Sequence, residues 1–436
     1  MSKNLIFIFE FVSGGGFSKV NIPISLFCEG FGMLRSIITD FKALDFEIYT
    51  ILDYRIFFLS SFIQADLVEK VNFNDDYLKI FKNFAKDCKY VFIIAPESSN
   101  VLYKLTKVVN DYDKIILSTN LRGIKLGSSK IRTCKFFKKN NVLTPRTYAI
   151  PYKKEYLDLN FIVQKHRKLN CPIVIKPEDG VGAESIYYFE KENQIINYFK
   201  ENKGINDDRR KFILQEFIEG RDLSISMISS PNLFDQNPII LSVNSQFINI
   251  KELKPEYFGG CTPLGNYKEI LKDLSIITKK IDFSKFDGYI GIDFIEKYPS
   301  SFYFIEINPR LTTSYIGLRN VINLNCAELI LNSKLKDISS TEIKFLNHSH
   351  FFRVDFSINK LSDIEAFYEK ELPHLMKQIP EFVTPPISLN KSNQFSCFIA
   401  TKMKDLAASR IRVNKIIQSL KDLNFNIIKQ VKTKLL

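Results

Sequence analysis

The sequence predicts an α/β protein with α+β subdomains, on three observations. Apolar runs alternate with amphipathic helical stretches before residue 125. Strands broken by Gly- or Pro-bearing loops fill the middle, and further strand-like runs with a helix follow residue 330. The implied units are 1–125, 126–330 and 331–436, within what 436 residues allow.

LIFIFEF (5–11) reads as a buried first strand, and SGGG (13–16) as the turn after it. The triplet matches neither GxGxxG nor GxxxxGK[ST], so a plain turn outranks a phosphate cradle, though it could line a crevice at the strand ends. Phe27, Phe31, Leu34, Ile38 and Phe41 recur at helical spacing. FEIYTIL (46–52), YVFIIAP (90–96) and KIILS (114–118) repeat the strand pattern, which implies a small parallel sheet flanked by helices.

From about residue 126 the texture changes. Residues 127–148 read as a helix and a Pro-containing turn. Residues 171–189 read as strand, Gly loop and strand, and 211–228 as two strands broken at Gly220. DGYIGIDFIEK and SFYFIEINPR read as an antiparallel pair around YPS. HFFRVDF, QFSCFIAT and the helical 407–423 form the last unit.

The net charge is +13, from 61 Lys plus Arg against 48 Asp plus Glu. The lysines are scattered, and neither zinc-finger spacing nor an aromatic RNA-binding signature accompanies them. A solvated basic surface is the reading, with no nucleic-acid partner. Seven isolated cysteines without CxxC spacing argue for reduced thiols in a cytoplasm and against zinc. Glu10 interrupts the short apolar start, so no signal peptide is expected, and no run of about 20 apolar residues suggests a membrane span.

The polar groups that could do chemistry lie on the paired strands. By period-two alternation Ile305 and Ile307 face one side, and Phe304, Glu306, Asn308 and Arg310 the other. Ile290, Ile292 and Phe294 share a face opposite Asp293. Asp293, Glu306 and Asn308 would then form a hard-oxygen cluster suited to magnesium, or a solvent-facing polar side with Glu306 bridged to Arg310. Lys176 shares a face with Val174 and precedes Asp179-Gly180-Val181-Gly182-Ala183. Lysine plus a glycine loop is a phosphate grip, or a snorkelling lysine before a hairpin turn. LQEFIEGRD (214–222) could be a hinge whose backbone reads a base, or an ordinary strand with a turn.

Lys130, Lys176 with its loop, the 215–222 segment, Asp293 and Glu306-x-Asn308 follow one another in an order that resembles the ATP-grasp superfamily of carboxylate–amine ligases. The likeness covers about 120–320. It implies an ATP-grasp fold behind an N-terminal Rossmann-like pre-ATP-grasp domain, with a lid over about 145–220 and a C-terminal extension. By it, Lys130 and Lys176 hold ATP phosphates and the Asp179, Gly180, Gly182, Ala183 loop closes over them. The hinge with Gln215, Glu216 and Ile218 frames adenine. Asp222 takes the ribose, with Glu219 as the alternative. Gln215 and Asp222 depart from the commoner Glu. Asp293, Glu306 and Asn308 hold Mg2+, with Mn2+ as substitute, and Arg310 holds the acyl phosphate or substrate carboxylate.

FEFVSGGG, CEGFGMLRSIITDF and INPRLTTSYIGLR are similar, more narrowly, to the tyramine–glutamate ligase group of methanofuran-type cofactor synthesis. The region after 330 resembles the C-terminal subdomain of carboxylase-like ATP-grasp enzymes. The resemblance implies an ADP-producing amide ligase acting through an acyl phosphate on a small carboxylate and an amine, with glutamate or another amino acid as acid. It involves no membrane and allows a homodimer. A bicarbonate-activating enzyme and a non-catalytic ATP-binding protein are the alternatives.

Overall fold

The computed structural model describes residues 4–153, 155–180, 185–202, 205, 210–231, 233, 237–251, 253–335, 342–358, 363–389 and 393–429. The first unit is a five-stranded parallel sheet in the order Leu67–Val71, Glu47–Asp53, Leu5–Glu10, Tyr90–Ile94, Ile115–Ile116. Helices Ile24–Lys42, Tyr77–Asp87 and Val101–Asp111 pack around it. Ile6, Phe7, Ile8 and Phe9 are all buried, as a parallel strand covered on both faces requires.

Glu10, which breaks that apolar run, is also buried. Its carboxylate accepts from Val12 N at 3.0 Å, Ser13 N at 2.7 Å and Ser13 Oγ at 2.6 Å. It thus ties down the start of the glycine turn. A Cβ on Gly14 would sit 2.5 Å from the Phe9 ring and 2.6 Å from Glu10 O, so the turn needs glycine for packing.

A four-stranded antiparallel sheet follows, in the order Tyr187–Phe189, Ile173–Pro177, Phe212–Glu216, Thr147–Ala149. Ile173, Ile175, Phe189 and Phe212 point into its own core with helices Leu159–Leu169 and Glu192–Glu201. Val174 and Lys176 take the opposite face, lining a cavity.

The third sheet is antiparallel and runs Ser301–Asn308, Gly288–Tyr298, Arg221–Ser229, Ile239–Lys251, Lys254–Thr262, Ser349–Ile358, Gln394–Ala400, Phe382–Ile387, with Phe425–Lys429 beside Ser349–Ile358. Strands after residue 342 therefore continue the sheet that carries Asp293 and Glu306.

Plain alternation fails at one point. Asp293 pairs with Glu306, but Phe294 pairs with Phe304, so Ile305 is the extra residue of a β-bulge. The expected faces of Phe304 and Ile305 are thereby corrected. Phe304 packs in the core, its ring centroid 5.3 Å from that of Phe137, while Ile305 joins Glu306 on the cavity.

Helix Ile24–Lys42 lies against the Ser314–Leu318 helix. Tyr315 Oη donates to Asp40 at 2.6 Å, Arg319 Nη2 to Asp40 at 2.6 Å, and Thr313 Oγ1 to Glu29 at 2.6 Å. A Cβ on Gly32 would come within 2.9 Å of Ile316 Cδ1, so glycine permits this approach. Two of the three stretches that carried the narrower resemblance, CEGFGMLRSIITDF and INPRLTTSYIGLR, thus meet each other.

Candidate active site

A cavity of about 320 Å³ lies between the second and third sheets. One end is mainly apolar, formed by Val174, Ile218, Ile248 and Ile295, with Gln215 and Asp222 at its edge. The other end is polar and collects Lys130, Lys176, Asp293, Glu306, Asn308 and Arg310.

Lys130 opens helix Lys130–Lys139, whose N-cap is Ser129. Its Nζ lies 3.1 Å from Glu306 Oε2 and donates to Gly180 O at 2.7 Å. Lys176 Nζ is 3.9 Å from the same Glu306 oxygen. Burial, aided by Lys130, brings Lys176 down to about 8 against the pull of Glu306. Burial pushes Glu306 up, yet Lys130 and Lys176 outweigh it and hold the carboxyl at about 2. Asp293, raised by burial and by Glu306, sits at about 7. Its oxygens accept from Gln246 Nε2 at 2.9 Å and Asn308 Nδ2 at 3.0 Å.

The two lysines compensate Glu306, whereas Asp293 is left with amide donors and no ion pair among the described residues. A hard divalent cation sharing phosphate oxygens would supply the missing positive charge, so the donor set fits magnesium. Among the described residues no group of three or more His, Cys, Asp or Glu side chains is gathered to hold a metal. The protein would therefore provide only part of the shell.

Arg310 does not bridge to Glu306. Its Nε lies 3.1 Å from the buried carboxylate of Glu97, and Nη1 donates to Leu311 O at 3.0 Å. Arg310 thus ties the third sheet to the first unit. Gln215 donates to Thr147 Oγ1 at 2.9 Å, and Ile218 is buried at the wall. Glu216 borders the cavity, but its carboxylate pairs with Arg146 at 2.7 Å. Asp222 lines the cavity and burial raises it to about 6, whereas Glu219 is exposed and does not line it. Gly180 borders the cavity. Asp179 instead accepts from Ser99 N at 3.0 Å and meets Arg210 at 3.1 Å, beside a neighbouring groove. Gly182 and Ala183 lie outside the described residues.

Sequence reasoning missed Glu29, Glu97, Gln246 and Thr313. Glu29 and Thr313 had a signal, since both lie in the stretches that carried the narrower resemblance, CEGFGMLRSIITDF and INPRLTTSYIGLR.

A pre ATP-grasp 3 domain matches residues 46–124, and an ATP-grasp domain matches 127–314. The tyramine–L-glutamate ligase of Methanocaldococcus fervens is 30% identical over 82% of this chain and 100% of its own. An ATP-grasp superfamily protein from Archaeoglobus fulgidus superposes with a TM-score of 0.56 at 23% identity, covering 82% of this chain and 95% of that one. The biotin carboxylase domain of Hydrogenobacter thermophilus 2-oxoglutarate carboxylase, solved with MgADP and bicarbonate, superposes at 0.67 with 12% identity, covering 98% of this chain and 91% of that one. These two structures speak to the fold alone. With both domain models matched in order and one ligase aligned over its whole length, the chain belongs to the ATP-grasp superfamily and is an ATP-dependent carboxylate–amine ligase.

Proposed function

We propose that this ligase joins the carboxyl of glutamate, or of another amino acid, to a primary amine during synthesis of a cofactor in the cytoplasm. The observation that carries the reading is the convergence of Lys130 and Lys176 on Glu306, beside Asp293, at the polar end of a cavity whose other end is an apolar slot. In this reading adenine enters between Val174, Ile218 and Ile248, with Gln215 at its edge, and Asp222 accepts from the ribose. Lys130, Lys176 and the loop that begins at Gly180 hold the phosphates. Asp293, Glu306 and Asn308 would hold magnesium, or manganese in its place, which supplies neutralising charge to phosphate oxygens.

A carboxylate is a poor electrophile. Transfer of the terminal phosphoryl group makes it an acyl phosphate, which an amine attacks with loss of phosphate. The protein's part is to align the two oxygens and neutralise charge, which Lys130 and Lys176 do on the phosphoryl side. Arg310 offers the acid the guanidinium donors that Glu97 leaves free. A screen for ADP release over amino acids and amines, beginning with glutamate and tyramine and with mass spectrometry of products, tests the reading. Nucleotide binding without acid- and amine-dependent ADP release would refute it.

A bicarbonate-activating reaction is the second reading. Turnover that depends on bicarbonate and needs no amine would decide for it.

A further inference from the structure

The polar end of the cavity contains one carboxylate to which the reaction above gives no part. Glu29, on helix Ile24–Lys42, lines the cavity with Arg310, Thr313 and Tyr257. Thr313 donates to its Oε2 at 2.6 Å. Among the described residues Glu29 has no ion pair and no second hydrogen bond. The neighbouring guanidinium groups are engaged elsewhere: Arg310 with Glu97 at 3.1 Å, and Arg353 with Glu256 at 2.6 Å and Asp355 at 3.1 Å. Burial raises the Glu29 carboxyl, against Thr313 and the two arginines. Burial and the charge of Glu29 also push the Tyr257 phenol up.

A desolvated carboxylate with one hydroxyl donor and no direct ion pair retains several acceptor sites and a charge that is only partly compensated. A cation brought by a ligand would remove that cost, and an ammonium group supplies both the charge and the donors. Thr313 follows Arg310 closely in the chain, so one short segment anchors both this carboxylate and the group proposed to hold the acid.

We propose that Glu29 is the docking carboxylate for the ammonium group of the amine substrate. The inference rests on the amide-ligase reading. The docked ammonium gives one proton to Glu29 and becomes the free amine. Its nitrogen forms a C–N bond to the acyl carbon while the C–O bond to phosphate breaks. Phosphate leaves with that electron pair, and the second N–H proton goes to it. The alcohol counterpart of the amine keeps one donor for Glu29 but lacks the charge and the further N–H donors.

The test uses the full chain with ATP, glutamate and tyramine; if the amine screen returns another primary amine, that amine and its alcohol are the probes. Wild-type protein is first given hydroxylamine in place of the amine. Hydroxamate with ADP establishes acid activation. If neither hydroxamate nor amide forms with any acid, the ligase reading and the role of Glu29 fall together. Glu29→Gln keeps an acceptor for Thr313. It should raise the amine KM by roughly ten- to a hundredfold and move the KM for ATP and acid by less than about threefold. An unchanged amine KM, or equal rises in all three, overturns the assignment of Glu29 alone. Wild-type protein supplies the second measurement. 4-(2-Hydroxyethyl)phenol, with hydroxyl replacing the ammonium of tyramine, should compete at least about tenfold more weakly than tyramine binds. Competition of equal strength overturns the assignment even if Glu29→Gln does not fold.

Discussion

Glu306→Gln probes the electrostatic centre of the site before any substrate arrives. The Glu306 carboxylate is the counter-charge for Lys130 at 3.1 Å and Lys176 at 3.9 Å. Against the effect of burial, those lysines carry its carboxyl from 4.5 to about 2. Such a displacement corresponds to about 3 kcal/mol of stabilisation at neutral pH. Because the folded value lies below the unfolded one, the contribution is present above about pH 4.5 and is lost as pH falls toward 2. The amide leaves two buried lysines facing Asp293 alone. Asp293, freed from the repulsion of Glu306, ionises more readily and recovers part of the loss. The expected net cost is about 1–3 kcal/mol, below the usual cost of breaking a buried pair. Hydrogen exchange on the nucleotide-free protein is the suitable assay, because a chain of several subdomains does not define one unfolding free energy. Amides of Ser301–Asn308 should exchange about five- to a hundredfold faster at neutral pH in the variant. ADP formation should disappear. Exchange within about twofold of wild type, with activity retained, would refute both the counter-ion role and the metal-ligand role.

Lys176→Met keeps the apolar stem and removes the charge, so ATP affinity should fall and ADP formation nearly vanish; unchanged calorimetric binding would mean the lysine merely snorkels. Since burial, aided by Lys130, brings Lys176 down to about 8, wild-type ATP affinity should weaken as pH rises through 8, a dependence the variant lacks. Asp222→Asn should weaken ATP binding by about ten- to a hundredfold. Burial raises Asp222 to about 6, so wild-type affinity should also fall as pH drops below 6. A dissociation constant within about threefold of wild type would remove Asp222 from the ribose site. Arg310→Lys keeps the charge and loses the planar fork. Acid-dependent ADP formation should drop roughly ten- to a thousandfold while ATP affinity stays nearly constant. If only thermal stability changes, Arg310 serves Glu97 as a brace and nothing more.

Much of the cavity lining was legible because its pattern is local. Val174 and Lys176 alternate against Ile173 and Ile175, and Asp293 against Ile292 and Phe294, so each strand declares which residues avoid the core. The pairing of Asp293 with Glu306 followed from two adjacent strands joined by a short turn. The alternation of the first unit announced its parallel sheet, although Leu67–Val71, an edge strand with exposed polar residues, carried too little apolar signal to be read.

The rest depended on contacts between distant parts of the chain. A β-bulge turned Ile305 to the cavity and Phe304 to the core, and no residue type in FIEIN marks an unpaired residue. Asp222 was read at the ribose with Glu219 as the alternative, and packing separates them: Asp222 lines the cavity and Glu219 is exposed. Arg310, four residues after Glu306, was read as facing the acid substrate or else bridging to Glu306, but the carboxylate it meets is Glu97 in the first unit. Glu29 reaches Thr313 in the same way, from the far end of the chain. Sequence period reports only which face of an element avoids water. Which charge meets which is decided when separate elements pack, because an ion pair depends on distance in space and leaves no trace in spacing along the chain.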